Sequence, residues 1–244
     1  MLAGLHNQVK NPQAAATKKT RRAITIHMLK LIEHAIAVNT VWSDYEKSLR
    51  WAVVLVAWWG SFRIGELLPK AKHSFCPSSA LLASDVTFKD NSVAIWLRSP
   101  KVEKEVTGDI VEVWDVPMRE DLNPLRMLGA YVQRRREKFG EAETLPMFLH
   151  ENGEIYTKLQ LNTDLSNMLA LYPELDTATD KWSGHSFRAG ISTVLSLLGF
   201  SKEDIQAWGR WSSDAYQRYI KDTSQRRKVC EGLIKTFKDI LSFV

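Results

Sequence analysis

The spacing of apolar residues predicts helices over the first quarter of the chain. Apolar residues follow Thr25, a suitable N-cap, with a helical period: Met28, Leu29, Ile32, Ala35 and Ile36. A second helix is predicted from Ser43-Asp44, and its segment 51–59 is apolar on all sides, as in a helix at the centre of a domain. Gly60 ends this helix, and a turn opens directly after it.

The period changes between residues 85 and 114. Three segments rich in β-forming residues follow one another, at 86–88, 93–97 and 110–114, and Asp90-Asn91 is a turn signal between the first two. We therefore expect a small antiparallel sheet of three strands. Its second connection, residues 98–109, is long and carries Lys101 and Lys104.

Helical patterns then resume and continue to the end of the chain. Asn123-Pro124 is a helix start, with an N-cap followed by proline at the first helical position. Further helices are predicted near residue 159, over 185–199, over 201–209, from about 213, and over the last stretch. The expected fold class is mainly α with a small three-stranded antiparallel sheet. Residues 1–23 are expected to be a basic linker, 24–222 the main domain and 223–244 a C-terminal helix.

Charge mildly favours a polyanionic partner. Lys and Arg total 33 against 28 Asp and Glu, a net charge of +5. The N-terminal positive cluster comprises Lys18, Lys19, Arg21 and Arg22, and two further clusters lie at 134–136 and 226–228. Taken alone, each cluster also fits a solvated helix face.

Other function classes are disfavoured by what the sequence lacks. The cysteines, Cys76 and Cys230, form no CxxC pair, so neither a disulfide framework nor a metal site is indicated and a reducing, intracellular location is expected. The apolar run 51–60 has about half the length of a membrane span. The N-terminus lacks the apolar core of a signal peptide. No membrane partner is therefore expected.

Four features that could carry chemistry occur in a telling order. Arg63 follows the buried helix within segment 62–68. His185 and Arg188, three residues apart, share one helix face. Gly209-Arg210-Trp211 comes next, and Tyr219 lies ten residues after that glycine. Each feature alone has an ordinary explanation, such as a surface ion pair, a histidine near an N-cap or a solvated arginine.

Taken together, the four features and a lysine in the hairpin resemble the tyrosine recombinase and integrase family over about residues 24–222. The segments 62–68 and 185–190 resemble its first arginine motif and its His-x-x-Arg motif. Segment 209–220 is most similar to recombinases of eukaryotic mobile elements, the Crypton and DIRS-like branch. The resemblance implies a catalytic domain that cleaves and rejoins DNA through a covalent 3′-phosphotyrosine, without metal, ATP or another cofactor.

The chemistry gives these residue types their roles. Two permanently charged guanidiniums, Arg63 and Arg188, can stabilise the charge that develops on the non-bridging phosphate oxygens. Tyr219 is the implied nucleophile, and Tyr216 is its rival. Because a tyrosine hydroxyl has a pKa near 10, it needs activation, and His185 is the candidate base, with donation to the phosphate as the alternative.

The remaining assignments rest on the resemblance. Lys101 matches the family's hairpin lysine, which protonates the leaving 5′-oxygen, and Lys104 is the alternative or a DNA contact. Most members place His or Trp directly after the glycine, where this chain has Arg210. The role therefore falls to Trp211, as in flippase-type recombinases, and Arg210 is a candidate phosphate contact. Glu66 either orients the first arginine or is an ordinary helix-surface glutamate.

The resemblance also implies partners. Double-stranded DNA is the expected partner, with the N-terminal positive cluster among its contacts. A homotetramer on paired sites is implied, with residues 226–244 packing onto a neighbour, while the isolated domain is expected to be a monomer. Family members usually carry a separate DNA-clamping domain, and only 23 residues precede the first helix, so a fragment or a single-domain member is expected. In a eukaryote the expected location is the nucleus.

Two kinds of alternative remain open. One is a domesticated DNA-binding protein that keeps the fold without the reaction, because residues 191–220 have the look of a helix-turn-helix. Retention of every candidate catalytic residue type argues against it. The other is an enzyme with the same chemistry, a type IB topoisomerase or a telomere resolvase.

Overall fold

The computed structural model describes residues 20–98, 108–117, 119–175 and 180–211. Within these residues the helices are α1 (Ile26–Val38), α2 (Asp44–Trp59), α3 (Ile64–Leu67), α4 (Pro124–Phe139), α5 (Lys158–Leu169), α6 (Gly184–Leu197) and α7 (Lys202–Gly209). The strands are β1 (Thr20–Arg21), β2 (Val86–Phe88), β3 (Ser92–Leu97), β4 (Asp109–Trp114) and β5 (Asp180–Lys181). Short 3-10 turns lie at Lys72–Ser74, Ala83–Asp85 and Glu120–Leu122. The mainly α fold class with a small antiparallel sheet is confirmed.

Helix α2 forms the centre of the core. The side chain of its N-cap Ser43 accepts a hydrogen bond from the Glu46 amide, and every residue from Leu49 to Trp59 is buried. A helix that is apolar on all sides must be covered on all sides. Helices α1, α4 and α6 pack around it and provide that cover, as the sequence predicts.

Strands β2, β3 and β4 form the predicted antiparallel sheet in that order. Val93, Ile95 and Leu97 face the core, whereas Trp96 and its partner Ile110 lie on the exposed face. Strands β3 and β4 each begin one residue earlier than the sequence suggests. The connection that carries the two candidate lysines lies largely outside the described residues.

The last residues of the predicted linker pair with a later part of the chain. β1 pairs in parallel with β5, and the amide of Ile24, which is fully buried, donates to the Ser186 carbonyl oxygen over 3.0 Å. The chain is therefore tied to the domain from residue 20. Residues 1–19 and the predicted helices after residue 211 lie outside the described residues.

Two glycines let α6 approach its neighbours closely. A Cβ atom at Gly184 would lie 2.6 Å from Cγ1 of Ile64, at the start of α3. A Cβ atom at Gly190 would lie 1.9 Å from the carbonyl oxygen of Ile24. Both distances are shorter than a real Cβ contact, so larger side chains would push α6 outward. This close packing fixes the first two turns of α6 against the start of α3, the residues before α1 and the end of α2.

Candidate active site

The first part of the site is the turn between α2 and α3. Ser61 has a positive φ of 50°, which turns the chain sharply after α2. Arg63 is the N-cap of α3, and its amide donates to Oε2 of Glu66 over 2.8 Å. Its guanidinium pairs through Nη1 with Oε1 of Glu66 over 3.1 Å and remains 57% exposed. The predicted ion pair between Glu66 and Arg63 is thus present, and it leaves much of the guanidinium open to an incoming anion.

The second part is the first turn and a half of α6. Ser183 caps this helix, and its amide donates to Oγ of Ser186 over 3.0 Å. His185 is exposed, whereas Arg188 on the same helix is buried. Nη2 of Arg188 donates to the carbonyl oxygen of Gly209, and its buried Nη1 has no hydrogen-bond partner among the described residues. An unpaired buried cationic N–H is costly, which marks this atom as a donor suited to an anion.

The third part is the end of α7. The sequence places the helix stop at Gly209, but in the structure α7 includes that glycine and the left-handed residue is Arg210, with φ 53° and ψ 42°. Nη2 of Arg210 donates to Oε2 of Glu66 over 2.7 Å and to the Ser61 carbonyl oxygen over 3.3 Å. Trp211 is 40% exposed, and its ring centroid lies 5.7 Å from Cζ of Arg188.

The electrostatics of the site show how close these charges are. Burial, together with the positive charges of Arg63 and Arg210, lowers the pKa of the Arg188 guanidinium to about 10. Burial alone would raise the pKa of the Glu66 carboxyl, but Arg210 and Arg63 outweigh burial and lower it. Three guanidiniums against one carboxylate leave an excess of two positive charges at neutral pH. A phosphate group would relieve this repulsion.

The structure places four of the six predicted catalytic residues. Arg188 contacts the Gly209 carbonyl oxygen and the Trp211 ring, and the positive charge of Arg63 acts on it. His185 lies in the same first turn of α6 as Ser186. Lys101 and Tyr219, with their rivals Lys104 and Tyr216, lie outside the described residues, as do Lys18 and Lys19. Arg21 belongs to β1, and Arg22 beside it is exposed.

The ion pair between Arg210 and Glu66 was not predicted from the sequence. Nothing in the sequence indicates that Arg210 pairs with Glu66, because the two residues lie 144 positions apart and the left-handed backbone that joins them falls on a residue other than glycine. The sequence draws attention to residue 210 only because the residue after the glycine is neither His nor Trp, and this says nothing of its partner.

Other site classes find no support within the described ranges. No group of three or more His, Cys, Asp and Glu side chains there is arranged to hold a metal ion. None of the helices described is both long and apolar enough to cross a membrane.

Comparisons with known proteins locate the fold. No protein-family model and no curated protein matches the chain. Among solved structures, XerH site-specific recombinase bound to its difH substrate matches with a TM-score of 0.53 and 12% identity, covering 88% of this chain and 49% of that one. XerA recombinase matches with a TM-score of 0.53 and 17% identity, covering 85% of this chain and 63% of that one. A lambda integrase dimer bound to a COC′ core site matches with a TM-score of 0.51 and 15% identity, covering 88% of this chain and 52% of that one.

These likenesses establish the fold of the chain. It is the fold of tyrosine recombinase catalytic domains, as the sequence resemblance implies. The chain spans about half the length of the XerH and lambda integrase chains, at 49% and 52%. Similarity to Crypton and DIRS-like recombinases stays a prediction.

Proposed function

We propose that this chain is the catalytic domain of a tyrosine recombinase, which cleaves and rejoins DNA strands through a covalent 3′-phosphotyrosine. The observation that supports this most directly is that Arg188, which bonds to the Gly209 carbonyl oxygen and lies beside Trp211, is close enough to Arg63 for their positive charges to interact, in the fold that tyrosine recombinase catalytic domains share. Tyr219 follows the end of α7 by ten residues. Two arginines that converge on one phosphate can supply the charge stabilisation that a metal ion supplies in other nucleases.

Each residue has a defined part in the proposed reaction. The hydroxyl oxygen of Tyr219 attacks the scissile phosphorus, and the bond from phosphorus to the 5′-oxygen breaks. His185 accepts the tyrosine proton, and Lys101 delivers a proton to the departing 5′-oxygen. Arg63 and Arg188 bind the non-bridging oxygens, and the indole N–H of Trp211 donates to the same phosphate. Religation is the reverse of these steps and uses the energy kept in the phosphotyrosine bond, so it needs no ATP.

Double-stranded DNA is the proposed substrate. The XerH and lambda integrase structures hold a DNA substrate and a core site, respectively. In this chain the excess positive charge at the candidate site and the N-terminal positive cluster suit a polyanion. We further propose a tetramer on paired sites, as the family resemblance implies, with the isolated domain a monomer.

The proposed reaction is tested with nicked DNA, which traps the covalent intermediate. Purified protein is incubated in EDTA with a labelled pool of nicked duplexes that carry a randomised central segment, and products are separated by denaturing electrophoresis. We expect a DNA-bound protein band for the wild type and for Tyr216→Phe. Tyr219→Phe should lose the band while binding DNA as before, because phenylalanine keeps the ring and removes only the nucleophilic oxygen.

Each alternative predicts a different result. A band that Tyr216→Phe abolishes and Tyr219→Phe preserves would move the nucleophile to Tyr216. DNA binding without any band would favour a domesticated DNA-binding protein. A type IB topoisomerase would relax supercoiled plasmids whatever their sequence, and a telomere resolvase would produce hairpin ends. A strict requirement for Mg²⁺ in cleavage would contradict the proposed mechanism.

A further inference from the structure

Arg210 ends α7 in an unusual way. Its φ of 53° and ψ of 42° lie in the left-handed region, which residues with a Cβ atom seldom adopt. Helices that end with a left-handed residue usually place glycine there. The side chain of Arg210 makes contacts that can offset the cost of this conformation.

Those contacts lie on the turn between α2 and α3 and on α3 itself. Nη2 donates to Oε2 of Glu66 over 2.7 Å and to the Ser61 carbonyl oxygen over 3.3 Å. The guanidinium carbon also lies 5.1 Å from the ring centroid of Phe62. Two residues of the turn and one residue of α3 thus contact a side chain that lies about 150 positions later in the chain. The same turn presents Arg63.

Glu66 divides its two oxygens between the two arginines. Oε2 accepts from Arg210 and from the Arg63 amide, while Oε1 pairs with the Arg63 guanidinium. Because Arg210 and the Arg63 amide both hold Oε2, the carboxylate cannot rotate freely, and the direction of Oε1 is fixed. The position of the Arg63 guanidinium therefore depends in part on Arg210.

Exposure separates the two arginines by role. The side chain of Arg63 is 57% exposed, whereas that of Arg210 is 14% exposed and already bound to a carboxylate. Nη2 of Arg210 is occupied by Glu66 and the Ser61 carbonyl oxygen, while its buried Nε has no hydrogen-bond partner among the described residues. These differences separate a residue that meets DNA from one that holds the site together.

We propose that Arg210 is a positioning residue: through Glu66 and the Ser61 carbonyl it holds the turn that presents Arg63 against the end of α7, and it contacts no phosphate. This departs from the sequence-based assignment of Arg210 as a DNA contact. The inference rests on the proposed recombinase function only for its effect on the cleavage rate.

The test compares Arg210→Met with Arg63→Met, because methionine keeps an apolar stem and removes the guanidinium. For each variant, we measure DNA affinity at several salt concentrations and the rate of adduct formation on the nicked duplex pool. Arg210→Met should slow adduct formation by roughly 100-fold, as a small displacement of a catalytic group does. The slope of log Kd against log salt should stay at the wild-type value. Arg63→Met should reduce that slope by about 0.9, the loss of one phosphate contact.

A second comparison tests the route through Glu66. In a Glu66→Gln background, Arg210→Met should slow adduct formation much less than it does in the wild type, since residues in one network are not additive. Fully additive effects would overturn the route through Glu66. Circular dichroism on every variant confirms that it is folded.

The remaining outcomes are also decisive. A slope that falls by about 0.9 in Arg210→Met would make Arg210 a phosphate ligand and overturn the proposal. An unchanged slope with an unchanged adduct rate would make the contact purely structural and overturn it as well. If the wild type forms no adduct, the proposed function fails separately. In that case, the salt slope shows whether Arg210 contacts a phosphate. The double-mutant cycle of Arg210 and Glu66, measured by urea unfolding, then shows whether the two residues are coupled.

Discussion

At the scale of single residues, three arginines with the same chemistry occupy three different environments. Arg63 is exposed and shares Glu66, Arg188 is buried with one unpartnered N–H, and Arg210 is enclosed by the turn after α2. The order of motifs in the sequence identifies the first two as candidates. It assigns the third wrongly if our inference holds, because burial and long-range pairing leave no local signal.

Cleavage assays can test Lys101 as the general acid, although it lies outside the described residues. Lys101→Ala should slow cleavage of ordinary DNA by about 10²–10⁴-fold, the usual cost of a lost general acid, while binding stays close to the wild type. A duplex with a 5′-bridging sulfur at the scissile phosphate has a leaving group that needs no proton. On that substrate, Lys101→Ala should cleave at nearly the wild-type rate in single-turnover assays.

The arginine variants provide the control for this experiment. Arg63→Ala and Arg188→Ala should remain slow on both substrates, because the non-bridging oxygens still accumulate charge that nothing else neutralises. Rescue of Lys104→Ala but not of Lys101→Ala would move the general acid along the hairpin. Rescue of neither variant would mean that these lysines contact DNA and that the proton has another source.

At the scale of elements, the candidate site depends on how closely α6 packs against its neighbours. Gly190 faces the point where the Ile24 carbonyl oxygen accepts a hydrogen bond from Nε1 of Trp58 over 2.8 Å. The same α6 carries Arg188 on its buried side. A displacement of α6 would therefore disturb the core and the site together.

Gly190→Ala should destabilise the protein by about 3 kcal/mol, at the upper end of the cost of overpacking a core. Its added Cβ atom would lie 1.9 Å from the Ile24 oxygen and 2.8 Å from Nε1 of Trp58. The control is Gly65→Ala in α3, where nothing lies within 4 Å of the added atom. That variant should be as stable as the wild type or more stable by up to about 1 kcal/mol. Equal midpoints of urea unfolding for the two variants would contradict this account of the packing.

The elements that the sequence predicts well are those with a clear period. The apolar spacing locates α1, α2 and α6, helix-start signals locate α4 and α7, a helix is expected near α5, and the β-rich segments locate β2, β3 and β4. β1 and β5 have two residues each and pair across about 160 positions, so no local sequence pattern predicts them. α3 has only four residues and is recognisable only as a turn. The site is predictable where a motif lies at a helix start, as with Arg188, and unpredictable where a side chain crosses the fold, as with Arg210.

At the scale of the whole molecule, α2 links the candidate site at its C-terminal end to a polar cluster near its N-terminal end. There Arg50, which is buried, donates to Oδ2 of Asp164 over 2.8 Å and also pairs with Glu46. Glu46 accepts from the Glu151 amide over 2.8 Å and contacts Nδ1 of His150. This cluster joins α2 to α5 and to the turn at residues 151–153. The stability of the frame that supports the site therefore depends in part on the Glu46 carboxylate.

That dependence predicts how stability changes with pH. Burial alone would raise the pKa of Glu46, but its bonds to His150, the Glu151 amide and Arg50 lower the pKa to about 2, against 4.5 in the unfolded chain. A folded-state pKa below the unfolded value stabilises the protein fully above pH 4.5, and the contribution is lost as pH falls toward 2. Between pH 6 and pH 3, Glu46 should account for a loss of about 2 kcal/mol in the free energy of unfolding.

Urea unfolding at about pH 6 and about pH 3 measures this contribution, with three proteins compared. Glu46→Gln should be less stable than the wild type at the higher pH, because Arg50 then lacks one of its two anionic partners. Its loss of stability on acidification should be smaller than that of the wild type by about 2 kcal/mol, since glutamine takes up no proton. Glu137→Gln, at an exposed position of α4, should keep the wild-type difference. Parallel losses in the wild type and Glu46→Gln would show that other carboxylates hold the frame.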